Sequence, residues 1–242
     1  VEVAGYYTSL RKGFEEIGIT ADFVDLSGNP FAYGRARKMG ITAKALRAMR
    51  KALGIVVRSP NMQRRLHRIL QTLTGIPLLV KGLWKYDVFI FGFGTSLMAF
   101  RDLPILKALG KRIIYVFHGS DIRPPYIDGA QLLGKYGLTA RQAIRQAERL
   151  KRMIRRIERY ADVMVDLPTQ GLFHEKPFVN WLRIGIPFQR PDVKEKAADS
   201  RLPERGAVRI LHSPSHPEAK GTDRVRDTIE SLRAKGYAIE YV

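Results

Sequence analysis

Four short polar segments follow directly on apolar runs in this chain: Gly92-Phe93-Gly94-Thr95, His118-Gly119-Ser120-Asp121, Pro168-Thr169, and the stretch from Ser213 to Thr222. Residues of these types can hold an anionic or polar ligand. Glycines allow close approach to the backbone, His118 and Asp121 offer polar side chains, and Lys220 brings a positive charge just ahead of Gly221 and Thr222. In open parallel sheets ligands sit at the carboxyl ends of strands, where loops and helix N-termini present N–H groups to anions. Any one of these segments taken alone reads more simply as a turn. Their agreement in position is what points to a site.

The elements around them set the expected frame. Tyr6, Leu10, Phe14 and Ile17 repeat at helical spacing, so Gly5–Ile17 is expected to be a helix, and Ala21–Leu26, with alternating apolar and acidic residues, a strand. Two amphipathic helices with basic polar faces are predicted next, one on Ile41, Ala45, Met49 and Leu53, the other on Met62, Leu66, Ile69 and Leu73. Strands over Tyr86–Phe91 and Arg112–Phe117 then alternate with a helix over Leu97–Leu109. A long helix over Thr139–Ala161 carries Ile144, Ala147, Leu150, Ile154, Ile157 and Ala161 on one side, and Arg141, Arg145, Arg149, Arg152, Arg155, Arg156 and Arg159 elsewhere. Asp162–Leu167 and Phe178–Ile184 read as further strands. Gln189–Arg205 has a linker composition, and Val208–Leu211, Thr222–Lys235 and Tyr237–Val242 read as strand, helix, strand. The expected class is α/β: a Rossmann-like parallel sheet with helices on both faces over 1–187, a linker over 188–205, and the opening of a second Rossmann-like domain over 206–242.

Composition narrows the function. A chain of 242 residues with 45% hydrophobic content can bury a substantial core. The absence of cysteine excludes disulfides and thiolate metal sites and fits a cytoplasmic location. The longest apolar stretch, Val88–Phe100, falls short of the about 20 residues that a spanning helix needs. Lys and Arg number 42 against 23 Asp and Glu, a net charge of +19, and between Leu26 and Tyr86 thirteen basic residues occur without one acid. Such a field attracts nucleic acid, anionic lipid or phosphorylated substrates. The chain starts without Met and stops in an apparent strand, so it is expected to be a fragment.

The His118-Gly119-Ser120-Asp121 element and the late strand followed by His212-Ser213-Pro214-Ser215-His216-Pro217-Glu218-Ala219-Lys220-Gly221-Thr222 resemble glycosyltransferases of family 4, which have the GT-B fold. The resemblance implies an acceptor-side domain facing a nucleotide-sugar-binding domain across a cleft, and transfer with retention and without a required metal. It implies that Lys220, with Gly221, meets the donor diphosphate, that His118 lies near the transferred sugar, and that Gly5 opens a helix beside the donor. The family's usual arginine before the lysine is missing here, and His216 stands in that loop. Gly94, Thr95, Asp121 and Thr169 would line the cleft or the acceptor side. Acceptors in the family are often lipid-linked, so a peripheral place on the cytoplasmic membrane face is expected, through Arg47, Arg50, Lys51, Arg64, Arg65 and Arg68.

The implied function is a hexosyl-type transferase in cell-surface polysaccharide or glycolipid synthesis, using a nucleotide-diphosphate sugar as substrate and no cofactor. This length of chain alone is expected to transfer little. The rival is a basic nucleic-acid-binding α/β protein without catalytic activity. Neither an RNP-like aromatic pair nor zinc spacing supports it, and no specific nucleic acid is expected as partner. A dinucleotide enzyme is a further alternative, but Gly92-Phe93-Gly94 lacks the third glycine of that fingerprint.

Overall fold

The run Arg112–Val116 carries large apolar side chains toward both of its sides, as a strand at the centre of a parallel sheet must, and it forms β2. The computed structural model describes residues 5–25, 60–128, 137–187, 208–214, 217 and 220–242. In it β1 (Val88–Gly92) and β3 (Val163–Asp166) flank β2 in parallel, with Ile114 opposite both Ile90 and Val163. A two-residue strand, β4 (Val179–Asn180), continues the sheet in the order β1-β2-β3-β4.

Alternation along the strands divides the core in two. Phe89, Phe91, Ile113, Tyr115, Phe117 and Met164 face one side, where they pack with Leu79 of α2 (Pro60–Lys85), Leu103 and Leu106 of α3 (Asp102–Ala108), and Ile154 and Ile157 of α4 (Ala140–Tyr160). Val116 and Val165 face the other, against Tyr6 and Tyr7 of α1 (Tyr6–Glu16) and Trp181 of α5 (Trp181–Ile184). The architecture is therefore α/β, a four-stranded parallel sheet flanked by helices, compatible with a Rossmann-like fold.

Local chemistry sets the helix boundaries. Thr139 and Gln142 form a reciprocal capping box at the start of α4: the Gln142 N–H donates to Thr139 Oγ1 at 3.3 Å, and the Thr139 N–H donates to Gln142 Oε1 at 2.8 Å. Helix α3 begins at Asp102 rather than Leu97. Ala99 and Phe100 have φ of 50° and 70°, a left-handed break that a helix cannot contain, and Asp102 accepts from the Ser96 hydroxyl and the Leu97 N–H at 2.6 and 2.8 Å.

Two expected strands are corrected. Phe178–Ile184 is a strand only at Val179–Asn180, because the Asn180 side chain accepts the Leu182 N–H at 3.0 Å and starts α5. Ala21–Asp25 is not a strand. Its alternation serves side-chain contacts instead: Phe23 stacks on Tyr7 at 5.7 Å, and the Asp22 carboxylate accepts from Lys85 at 2.7 Å and from the Tyr86 hydroxyl. The helix expected at Ile41–Leu53, Leu26, and the 188–205 linker lie outside the described residues.

The chain divides into two units, Val1–Pro124 with Arg145–Phe188, and Pro125–Ile144 with Gln189–Val242. In the second, β5 (Val208–Ile210) and β6 (Ile239–Tyr241) pair in parallel, and α6 (Thr222–Ala234) connects them.

Gly75 marks the closest approach of α2 to the loop after β1: a Cβ there would fall on the Leu97 carbonyl and lie 2.8 Å from Met98 Cγ. Gly75→Ala should destabilise the protein by about 1–3 kcal/mol. Gly13, within α1 and with nothing near its Cβ position, gives the opposite sign, and Gly13→Ala should add about 0.5–1 kcal/mol. Urea denaturation of both variants checks the pair.

Candidate functional site at the carboxyl edge of the sheet

Because β1, β2 and β3 are parallel, the loops that leave them emerge at one edge. The loop after β2 is the most constrained. Asp121 Oδ1 accepts the N–H groups of His118 and Gly119 at 3.0 and 2.8 Å, and the Gly119 carbonyl accepts from Ile122 and Arg123. Gly119 has a φ of 126°, and a Cβ on it would lie 3.0 Å from Gln170 Oε1 of the loop after β3, so only glycine suits the position. Asp121 Oδ2 is buried without a hydrogen bond. Burial raises the Asp121 carboxyl to about 6, against the pull of the N–H groups bonded to it.

His118 is held by aromatic residues from the other face of the sheet. Its Nε2 is 2.9 Å from the Tyr7 hydroxyl, and its ring meets Tyr6, Tyr7 and Trp181 edge-on at centroid distances of 4.8, 5.4 and 5.7 Å. Trp181 Nε1 in turn donates to the Tyr6 hydroxyl at 3.3 Å. Burial lowers the His118 pKa to about 4, so the imidazole is neutral at neutral pH. Gly92, the last residue of β1, makes this possible: a Cβ there would overlap the Tyr7 hydroxyl and sit 2.8 Å from the Val116 carbonyl.

Of the other residues singled out in the sequence, Gly94 has a φ of 62°, and its Cβ position is 3.8 Å from Asp121 Cβ. The Thr95 carbonyl accepts from the buried Tyr115 hydroxyl at 2.9 Å. Thr169 is exposed in the turn after β3. Gly5, with a φ of 80°, precedes α1 and accepts the Ser9 N–H at 2.9 Å. The structure thus brings Gly94, Thr95, His118 and Asp121 to one sheet edge and adds α1 through Tyr7.

No family model, curated protein or solved structure matches the chain.

In the second unit Lys220 is exposed, and Gly221, with a φ of 67°, stands at the start of α6. Thr222 opens that helix, with its hydroxyl 3.0 Å from His212 Nε2. Of the basic set, Arg64 lies within α2, and Arg65 and Arg68 are exposed on it. Arg47, Arg50, Lys51 and His216 lie outside the described residues.

Two groups escaped the sequence. One is the aromatic shell of His118, whose trace was the Tyr6-Tyr7 pair directly after Gly5. The other is a buried ionic trio: His174 Nδ1 lies 2.9 Å from Glu158 Oε1, and its Nε2 lies 3.3 Å from Asp166 Oδ2. Burial alone would lower the His174 pKa, but the carboxylates of Asp166 and Glu158 outweigh it, and the net shift is upward.

The two histidines should therefore behave oppositely in an NMR pH titration. His118 should stay neutral down to about pH 4, with its ring proton on Nδ1 where Tyr7 donates to Nε2, and Tyr7→Phe should cost about 1 kcal/mol of stability. His174, raised in the folded state, contributes stability that is fully present below about pH 6.5 and is lost as pH rises through its folded value. His118, lowered in the folded state, removes stability as pH falls from about 6.5 toward 4.

Proposed function

We propose that this chain belongs to a retaining glycosyltransferase of family 4 with the GT-B architecture, supplying the acceptor-side domain and the opening of the donor-side domain. The observation that carries the proposal is the loop His118–Asp121: an uncharged, half-buried histidine tied to α1 stands where open parallel sheets bind ligands. A neutral imidazole suits hydrogen bonding to an uncharged sugar rather than ion pairing with its diphosphate. The diphosphate falls to Lys220, whose ammonium is a point charge on a flexible stem ahead of the α6 N-terminus. In the transfer, the bond from the sugar's anomeric carbon to the diphosphate oxygen breaks. A bond to the acceptor oxygen forms on the same face, the acceptor hydroxyl passes its proton to the departing diphosphate oxygen, and the negative charge that builds on that diphosphate meets the lysine.

The acceptor in this reading is a glycan or a lipid-linked glycan at the cytoplasmic face of a membrane, to which the protein attaches peripherally. Among the described residues no helix is long and apolar enough to cross a membrane.

The protein expressed from its whole reading frame should bind one of a panel of nucleoside diphosphate sugars by calorimetry. Lys220→Ala should weaken that binding about tenfold, or about 1.4 kcal/mol, while His118→Ala should lower turnover about a hundredfold with little change in donor affinity. Absence of binding to every sugar nucleotide, or equal binding and turnover in both variants, would refute the proposal.

A further inference from the structure

Helices α2 and α4 both cover the sheet face lined by Phe91, Tyr115 and Phe117, and their outer surfaces carry two features that the transfer chemistry does not use. The first is an apolar stripe. Ile69, Leu73, Ile76 and Val80 of α2 are between 44% and 58% exposed, and Trp84 is 90% exposed. At 100° per residue these five fall within an arc of about 80°, away from Leu79, Gly75 and Gly82, which are buried. The stripe is therefore not the side of α2 that packs on the sheet, and Arg65 and Lys81 border it. No acidic residue occurs anywhere in α2.

The second feature is an arginine ridge. Arg145, Arg149, Arg152, Arg156 and Arg159 follow one another at spacings of four, three, four and three along α4, and all are exposed. They too share an arc of about 80° over a rise of about 21 Å, opposite Ile154 and Ile157. None of the five has an ion-pair partner among the described residues; the neighbouring Arg155 has Glu175. Like charges three and four apart on a helix repel and destabilise it, and the exposed Glu148, three residues after Arg145 and four before Arg152, offsets only part of this row.

We infer that the outer surface of this helix layer docks on an anionic lipid bilayer, with the α2 stripe entering the interface and the α4 ridge pairing with lipid phosphates. Each feature alone admits another occupant. A nucleic acid would satisfy the ridge but would leave five large apolar side chains in water. A second copy of the chain could cover the stripe but would set one arginine ridge near another. An anionic bilayer accounts for both, because apolar side chains sink into the boundary between headgroups and acyl chains while guanidinium groups bind phosphate in a bidentate manner. Trp84, at the end of the stripe beside Lys85, is the type of residue that settles at headgroup level. The inference rests on the peripheral location proposed above and names the surface responsible. Its test reads binding and not transfer, so the two proposals can fail separately.

The test is flotation of the whole chain with vesicles of phosphatidylcholine, with or without phosphatidylglycerol. Binding is expected to the anionic vesicles only, weakening as salt rises. Arg149→Glu, Arg152→Glu and Arg156→Glu combined, and separately Leu73→Ser, Val80→Ser and Trp84→Ser combined, should each reduce it at least tenfold. All six positions are exposed, and thermal unfolding by circular dichroism in buffer reports whether each variant is folded. An independent measurement on the unaltered protein uses lipids brominated in the acyl chain: tryptophan emission should be quenched on binding, and Trp84→Phe should abolish the quenching. Full binding by either folded triple variant, or absence of quenching, overturns the inference. So do tighter binding to a short nucleic-acid duplex than to the anionic vesicles, and a concentration-dependent dimer that hides Trp84 from aqueous quenchers.

Discussion

Strand β2 has to bury both of its faces, and this constraint shapes the first unit. Its odd-numbered residues feed the core beneath α2, α3 and α4, and its even-numbered ones the core beneath α1 and α5. A strand filled in this way keeps charged side chains to its ends, Arg112 at the start and the His118–Asp121 loop after Val116, so polar groups collect where it ends. There His118 is still surrounded by aromatic rings and Asp121 is still buried, and the desolvation that stabilises the core acts on both. It keeps His118 neutral and pushes Asp121 upward. The electrostatic character of the candidate site is thus a by-product of sheet burial, opposed at Asp121 by the backbone N–H groups of the loop.

Elsewhere on this sheet, charge is handled by pairing. Asp162, in the turn into β3, accepts from Lys107, Arg112 and the Ile113 N–H, and although burial opposes it, these bonds hold its carboxyl at about 2. It ties the start of β2 to α3 and to the start of β3. Glu158 does similar work from inside α4, accepting from His174 and from the N–H groups of Glu175 and Lys176. Against this economy, the unpaired arginines on the outside of α4 stand apart.

Much of this frame was legible in the sequence because burial writes periodicity directly. The long helix α4 announced itself by Ile154, Ile157 and their neighbours, and β1, β2 and β3 by unbroken apolar runs. The segments that misled obey local hydrogen bonding instead. Ala99 and Phe100 look helical but are turned by the Ser96 and Asp102 side chains, and Asn180 ends β4 by capping α5. The site was legible only in part. His118 and Asp121 could be found because they follow a strand, whereas Tyr7 lies 111 residues from His118 in sequence, and no spacing rule connects them. The stripe Met62, Leu66, Ile69 and Leu73 is amphipathic in sequence, but Met62, Ile69 and Leu73 are exposed, since Leu70, Gly75 and Leu79 turn to the protein instead.

Gly92 carries one more implication. The space that its missing side chain leaves is filled by the hydroxyl of Tyr7, so the two positions behave as a single volume shared between a strand and a helix. A methyl group at 92 could be accommodated only if residue 7 became shorter, and a shorter residue 7 would no longer reach the imidazole. In any lineage of this protein the two positions should therefore change together or not at all, with the polarity of His118 changing in step.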